Sequence, residues 1–253
     1  MGDEMVTYEK NYLINVIFKL NYTSLSDYNN KLKEFQKLIK EKFPILEEAK
    51  GVMIEHQFGD KQEVKSKKED LVKWIFFNRK KTRMLSIESD SLTLEFKEYK
   101  NFSEFEVIVK LILESLFGVF SSISSTRLGL RYINQIELNE GEPFKWEGYI
   151  NNSLLCSLDF IREKEEVSRY ITSYVLNRED YQLRIQCGIA NSLYPSRIIK
   201  KEFILDFDCF TQESLEKEDI LRKTKEFNEA IRKLFEESIG EKLRTEMGKI
   251  KDE

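Results

Sequence analysis

The stretch YLINVIFKLNY, residues 12–22, decides how the chain is read. Tyr12, Ile14, Val16, Phe18, Leu20 and Tyr22 recur every second position, with Asn15, Lys19 and Asn21 between them. A two-residue period places the two sets on opposite faces of an extended chain, so this is a strand with one side in a core. Directly after it, Thr23, Ser24 and Ser26 offer capping hydroxyls. Tyr28, Leu32, Phe35 and Ile39 then share one helical stripe, which Pro44 brings to its end.

The same reading extends outward. Val52–Phe58, Leu71–Asn78, Arg83–Glu88 and Leu92–Tyr99 have strand character, with residues 60–70 expected as a solvated loop and turns at 78–81 and 89–91. Short polar separators make neighbouring strands antiparallel. Asn101 and Glu104 have capping-box spacing, and the helix they open is expected to run to about Ser122. Its residues are apolar almost all round, which predicts cover on several sides, by a sheet and either another helix or a second subunit. A long strand follows at Arg127–Leu138, then a looser stretch over 139–166 holding Gly141, Pro143 and Gly148, with a short helix within Trp146–Ile161. Strand patterns return at Val167–Asn177, Tyr181–Ile189 and Arg197–Phe210. One helix of roughly 28 residues, about 42 Å long, is predicted from Asp219 to Met247.

Strands therefore come in runs, which favours an α+β fold: a largely antiparallel sheet of about eight to nine strands carrying three main helices, the last one long. The 253 residues suit one domain, with 1–138 and 139–253 as the alternative halves. Eighteen Phe and eleven Tyr supply a core that a disordered chain with 34% charged residues would lack. A net charge of −4 argues against a surface devoted to nucleic acid. Three scattered cysteines, Cys156, Cys187 and Cys209, form no disulfide framework and point to a reducing, cytoplasmic setting. The most apolar run, Val107–Phe120, contains Lys110 and Glu114 and falls short of the roughly 20 residues a membrane helix needs.

Few residues carry recognisable chemistry. His56 is the single histidine, so it alone would have to serve any triad or histidine metal site. Asp206 and Asp208 lie on one face of a strand, an arrangement able to hold a divalent cation with Arg131 or Arg184 stabilising an anion. The plainer alternative is that these aspartates pair with Arg131 or Arg184 across the sheet while Phe203, Leu205, Phe207 and Cys209 fill the core. Asn134 falls on the apolar side of its strand beside Tyr132, where an amide either serves the backbone or, together with Tyr132, lines a ligand site. Lys61–Arg83 holds nine basic and three acidic residues with Trp74, Phe76 and Phe77 interleaved. Lys65, Lys67, Lys68, Arg79, Lys80, Lys81 and Arg83 could follow a nucleic-acid backbone, or simply keep an edge strand soluble. Glycine-rich phosphate loops and zinc or nucleophile-elbow motifs do not occur.

Gly129-Leu130-Arg131-Tyr132-Ile133-Asn134-Gln135-Ile136 resembles a sporadically distributed, uncharacterised prokaryotic family of about this length in which a G-L-R-Y-I-N-x-I segment recurs. Phe203–Asp208 is similar to that family's late aspartate-bearing strand, and Phe227–Met247 to its closing helix, here followed by Gly248. Residues 11–20 depart from the family's opening, which has a proline and a glutamate before the first strand. The resemblance implies an accessory role such as genome defence, and no particular chemistry.

The sequence leads to three expectations about function. The first is a non-catalytic binding or assembly protein, a homodimer with a protein or small-molecule partner, needing no cofactor and no membrane. The second is a metal-dependent hydrolase or nuclease using Asp206 and Asp208. The third is single-stranded nucleic-acid binding by the 61–83 hairpin.

Overall fold

In the computed structural model the chain is described over residues 7–25, 27–58, 64–120 and 123–250, and at 7, 48–58, 64–72, 159, 249 and 250 the backbone alone is described. In chain order the elements are β1 (Thr7–Tyr8), β2 (Leu13–Tyr22), α1 (Tyr28–Ile39), β3 (Ile45–Phe58), β4 (Val64–Phe77), β5 (Arg83–Ile87), β6 (Ser91–Phe96), α2 (Phe102–Val119), β7 (Ser125–Leu138), α3 (Cys156–Asp159), β8 (Tyr170–Asn177), β9 (Gln182–Ile189), β10 (Lys201–Thr211), α4 (Lys217–Ser238), α5 (Glu241–Met247) and β11 (Lys249–Ile250). Nine strands make one antiparallel sheet in the order β3-β4-β5-β6-β2-β7-β10-β9-β8, and β1 pairs with β11 apart from it. The fold is α+β, as the runs of strands lead one to expect. No helix among the described residues is long and apolar enough to cross a membrane.

The chain divides into two units, and the first comprises Ile17–Gly129 and Gln212–Arg222. Its hairpins are set by local bonds. Asn78 Oδ1 accepts from the backbone of Thr82 and Arg83 at 2.9 and 3.0 Å, closing β4 onto β5. Glu88 N donates to Ser91 O at 2.8 Å, closing β5 onto β6. Leu85 stands opposite Leu94 and Ile87 opposite Leu92, and all four are buried. The α1 stripe of Tyr28, Leu32, Phe35 and Ile39 is buried as its spacing predicts. Its N-cap differs from the expected Ser/Thr: Asp27 occupies it at φ 59 and makes no side-chain cap bond, because its carboxylate accepts from the Asn30 side chain instead.

Asn101 caps α2, its Oδ1 accepting from Glu104 N at 2.9 Å. Phe105, Ile108, Val109, Ile112, Leu113 and Leu116 are buried beneath α2, and Phe105 meets Phe96 edge-on at 5.1 Å. The expected cover by a sheet and another helix is present, in Phe96 of β6 and in α1, but it leaves one face open. Val107, Lys110, Glu114 and Gly118 form an open face, with Val107 63% exposed, so α2 is covered along one broad stripe shared with α1.

The 60–70 loop is corrected. Residues 64–70 belong to β4, which pairs with β3 from Ile45 opposite Phe77 to Phe58 opposite Val64. β5 accompanies β4 only over Trp74–Phe77, so among the described residues the remainder of β3 and β4 is a two-stranded ribbon with no third strand beside it.

The second unit comprises Met1–Val16, Leu130–Thr211 and Lys223–Glu253. Tyr132 and Ile136 of β7, Leu183, Ile185, Cys187 and Ile189 of β9, and Phe203, Leu205, Phe207 and Cys209 of β10 form its buried sheet face, against which Phe227 and Ile231 of α4 are also buried. Trp146, from the looser stretch, is fully buried and lies 5.2 Å from Phe203.

The single C-terminal helix predicted for 219–247 is in fact two. α4 ends at Ser238 and α5 begins after Gly240, because the main chain between them bonds to residues 148–151. Asn151 N donates to Ser238 O, Gly240 N to Tyr149 O and Lys242 N to Gly148 O, at 2.7–2.9 Å. Gly240 is required by that approach: a Cβ there would stand 2.2 Å from Gly148 O.

Candidate functional site

Alternation along β7 and β10 sorts the candidate residues onto two faces. Tyr132 and Asn134 point to the buried side with Phe203 and Leu205. Arg131 stands on the other side with Asp206 and Asp208, so Asn134 and Arg131 do not converge.

On the outer side, Arg131 Nε donates to Asp206 Oδ1 at 2.8 Å and Arg131 Nη2 to Asp206 Oδ2 at 2.5 Å. This is the parallel two-bond fork that a planar guanidinium and a carboxylate form best. Asp206 is nearly buried, while the Arg131 side chain keeps 40% of its surface. Hydrogen bonding to Asp206 raises the Arg131 pKa, and the charges of Asp206 and Asp208 add to this against the opposing effect of burial. Next door, Arg184 is the register partner of Asp208 and Gln186 that of Asp206. The Arg184 guanidinium lies 5.8 Å from the Phe210 ring. The result is a polar strip across β7, β10 and β9 in which one guanidinium is fixed in orientation and partly open.

The strip constrains chemistry in a definite way. Both oxygens of Asp206 accept from Arg131, so this carboxylate is neither a free metal ligand nor a free base. Among the described residues no group of three or more His, Cys, Asp or Glu side chains is placed to hold a metal ion.

On the buried side the polar groups serve the fold. Tyr132 OH donates to Asn228 Oδ1 at 2.8 Å, joining β7 to α4. Asn134 Nδ2 donates to Leu205 O at 3.2 Å, joining β7 to β10. Of the basic run, Lys81 pairs with Glu47 at 2.7 Å and Arg83 with Glu104, while Arg79 and Lys80 are exposed at the β4–β5 turn. The side chains of His56, Lys65, Lys67 and Lys68 lie outside the described residues.

Two clusters were missed by the sequence reading. Lys223, buried on α4, bonds Asp180 and Glu226. Lys201, buried on β10, lies against Trp146 and Tyr149. Each had a signal: Lys201 is in phase with Phe203 and Leu205, and Lys223 is one turn before Phe227 on the buried stripe. An open cleft of about 550 Å³ is lined by Asn151, Lys233, Glu236, Glu237, Ile239 and Arg244. Its arginine is already bound to Glu236 at 2.7 Å and Glu241 at 3.2 Å.

No protein-family model matches the chain, and no curated protein matches it in sequence.

Proposed function

We propose that this chain is a non-catalytic binding protein that docks an acidic group of a partner on the strip formed by Arg131, Arg184 and Gln186. The Arg131–Asp206 fork carries the reading. An arginine already pinned in orientation loses little freedom when its remaining N–H groups meet a carboxylate or phosphate, which is the physical basis of preorganised recognition. The same fork removes Asp206 from metal chemistry and so weighs against the hydrolase or nuclease alternative. Titration with an oligoglutamate peptide and with inorganic phosphate, followed through the Arg131 Nε–H resonance, tests the reading. Saturable shifts that disappear in Arg131→Gln support it, whereas no shift at low salt with either probe removes it.

Assembly as a homodimer remains part of the proposal. The edge of β3, bonded on one side only among the described residues, offers a second copy fourteen residues of backbone. Light scattering that finds a monomer at every concentration would remove this part. The cytoplasmic setting rests on three free thiols, and the accessory, defence-like role on the resemblance at Gly129–Ile136.

Single-stranded nucleic-acid binding stays as a second reading because the β3–β4 ribbon runs past β5 and carries much of the basic run. Affinity for an oligonucleotide that falls steeply with salt would favour it.

A further inference from the structure

Lys201 stands on the core side of β10 and is only 9% exposed. Among the described residues no carboxylate pairs with its ammonium. Nζ lies instead 4.8 Å from the centroid of the Tyr149 ring and 5.6 Å from that of Trp146. A second ammonium, Lys242 Nζ, is 5.5 Å from the same Tyr149 ring and donates to Glu147 O at 3.3 Å. The intervening loop makes room for both side chains. A Cβ at Gly141, where φ is +98, would stand 2.8 Å from Lys201 Nζ, and one at Gly148, where φ is +82, would stand 3.1 Å from Lys242 Cδ.

Ring faces attract an ammonium, yet more weakly than full hydration does. Burial and a neighbouring like charge both favour the neutral amine. Every charged group facing Lys201 can be assigned a sign. Burial first and Lys242 second lower its pKa, Lys145 works in the same direction, and Glu147 and Glu142 oppose them. Glu142 is itself paired with Lys145 at 2.6 Å. Desolvation and an adjacent cation are the two devices that make a lysine a nucleophile near neutral pH.

We propose that Lys201 is a nucleophilic amine site for small aldehydes, independent of the Arg131 strip. The Nζ lone pair attacks the carbonyl carbon, the nitrogen's protons pass to the carbonyl oxygen, and water leaves as the C=N bond of an imine forms. No oxidant or reductant takes part. Burial and Lys242 both favour the neutral amine, and the Tyr149 and Trp146 rings flank it.

The test is trapping on the whole, folded chain. Acetaldehyde or glyoxylate is added at pH 7.4 with cyanoborohydride, which reduces the imine, and modified lysines are mapped by mass spectrometry over time. Lys201 is expected to react several-fold faster than the exposed lysines, because burial and the nearby Lys242 favour its neutral amine. Lys242→Gln, a change at an exposed position, should slow Lys201 several-fold at pH 7.4 and leave its rate unchanged at high pH, where the amine is neutral in either protein. Lys201→Arg should lose the fast phase altogether. Modification of Lys201 no faster than that of exposed lysines such as Lys40 and Lys80, with either aldehyde, overturns the proposal.

Discussion

Lys223 donates to Asp180 from α4 to the β8–β9 turn, although the Lys223 side chain is only 3% exposed. Glu226, one turn further along α4, accepts a second bond at 3.1 Å. The Tyr181 and Phe227 rings lie 5.2 and 5.7 Å from the same ammonium. The turn between two strands is therefore fastened to α4.

Asp180→Ala should lower stability by about 1–2 kcal/mol, less than the roughly 3–5 of a fully buried pair, because Asp180 is half-exposed and Glu226 remains a partner. Burial acts to lower the Lys223 pKa, but the bonds to Asp180 and Glu226 outweigh it and raise the value above the usual 10.5. A raised lysine pKa means that the contribution is complete below the ordinary lysine range and is lost as pH climbs through the raised value. Urea unfolding of the two proteins should therefore show their full difference at pH 7 and a shrinking one above pH 10.5.

The Arg131–Asp206 fork should respond unequally to losing each end. Arg131→Met leaves a nearly buried carboxylate without a countercharge and should cost about 2–4 kcal/mol. Asp206→Ala leaves an arginine that can turn to water and should cost about 1–2 kcal/mol. Denaturant midpoints of both variants and the double mutant measure this, and equal losses would contradict the geometry.

Gly240→Ala should be among the most damaging single changes, at about 3 kcal/mol or more. The added methyl meets the Gly148 carbonyl, a backbone atom with nowhere to move. Ser238→Ala, close by on α4, removes only a hydroxyl bond to Leu234 O and should cost about 1 kcal/mol. Thermal melts that rank these two the other way would show that the close approach does not govern this corner.

The three cysteines should separate cleanly in a labelling experiment. Burial pushes the Cys209 thiol up to about 12 and raises that of Cys187, whereas Cys156 is exposed. Iodoacetamide at pH 8 should alkylate Cys156 alone in the folded protein and all three in denaturant. Rapid native labelling of Cys187 or Cys209 would mean that the β9–β10 core face opens readily.

What the sequence made legible was whatever is settled by near neighbours. The alternation of Val16, Phe18, Leu20 and Tyr22, the α1 stripe and the Asn101 cap are local patterns, and each has its counterpart in the fold. Ile14 breaks the alternation at 40% exposure, since the period selects a face and does not guarantee a cover for it. Strand β4 was read too short because Lys65, Lys67, Lys68, Glu69 and Asp70 look like a loop by composition, while its extension depends on pairing with the distant residues 52–58. Gly240 likewise looked like one more helical residue, for its reason lies at Gly148, ninety-two positions earlier. In the candidate site, pairing of the aspartates with Arg131 or Arg184 followed from parity on the strands, but which arginine Asp206 would meet depended on strand order, which no local pattern carries.

The corner where residues 238–242 meet 148–151 is fastened mostly by main-chain atoms, with the Asn151 side chain adding one bond to Glu237 O. Such a seam is indifferent to most side chains that line it: neutral drift can rewrite nearly every letter on either border and leave the stitching whole. Its vulnerable points are few, namely the two glycines that permit the approach and any donor nitrogen replaced by a proline. Mutational scanning across this corner should therefore find broad tolerance interrupted by sharp, residue-specific failures.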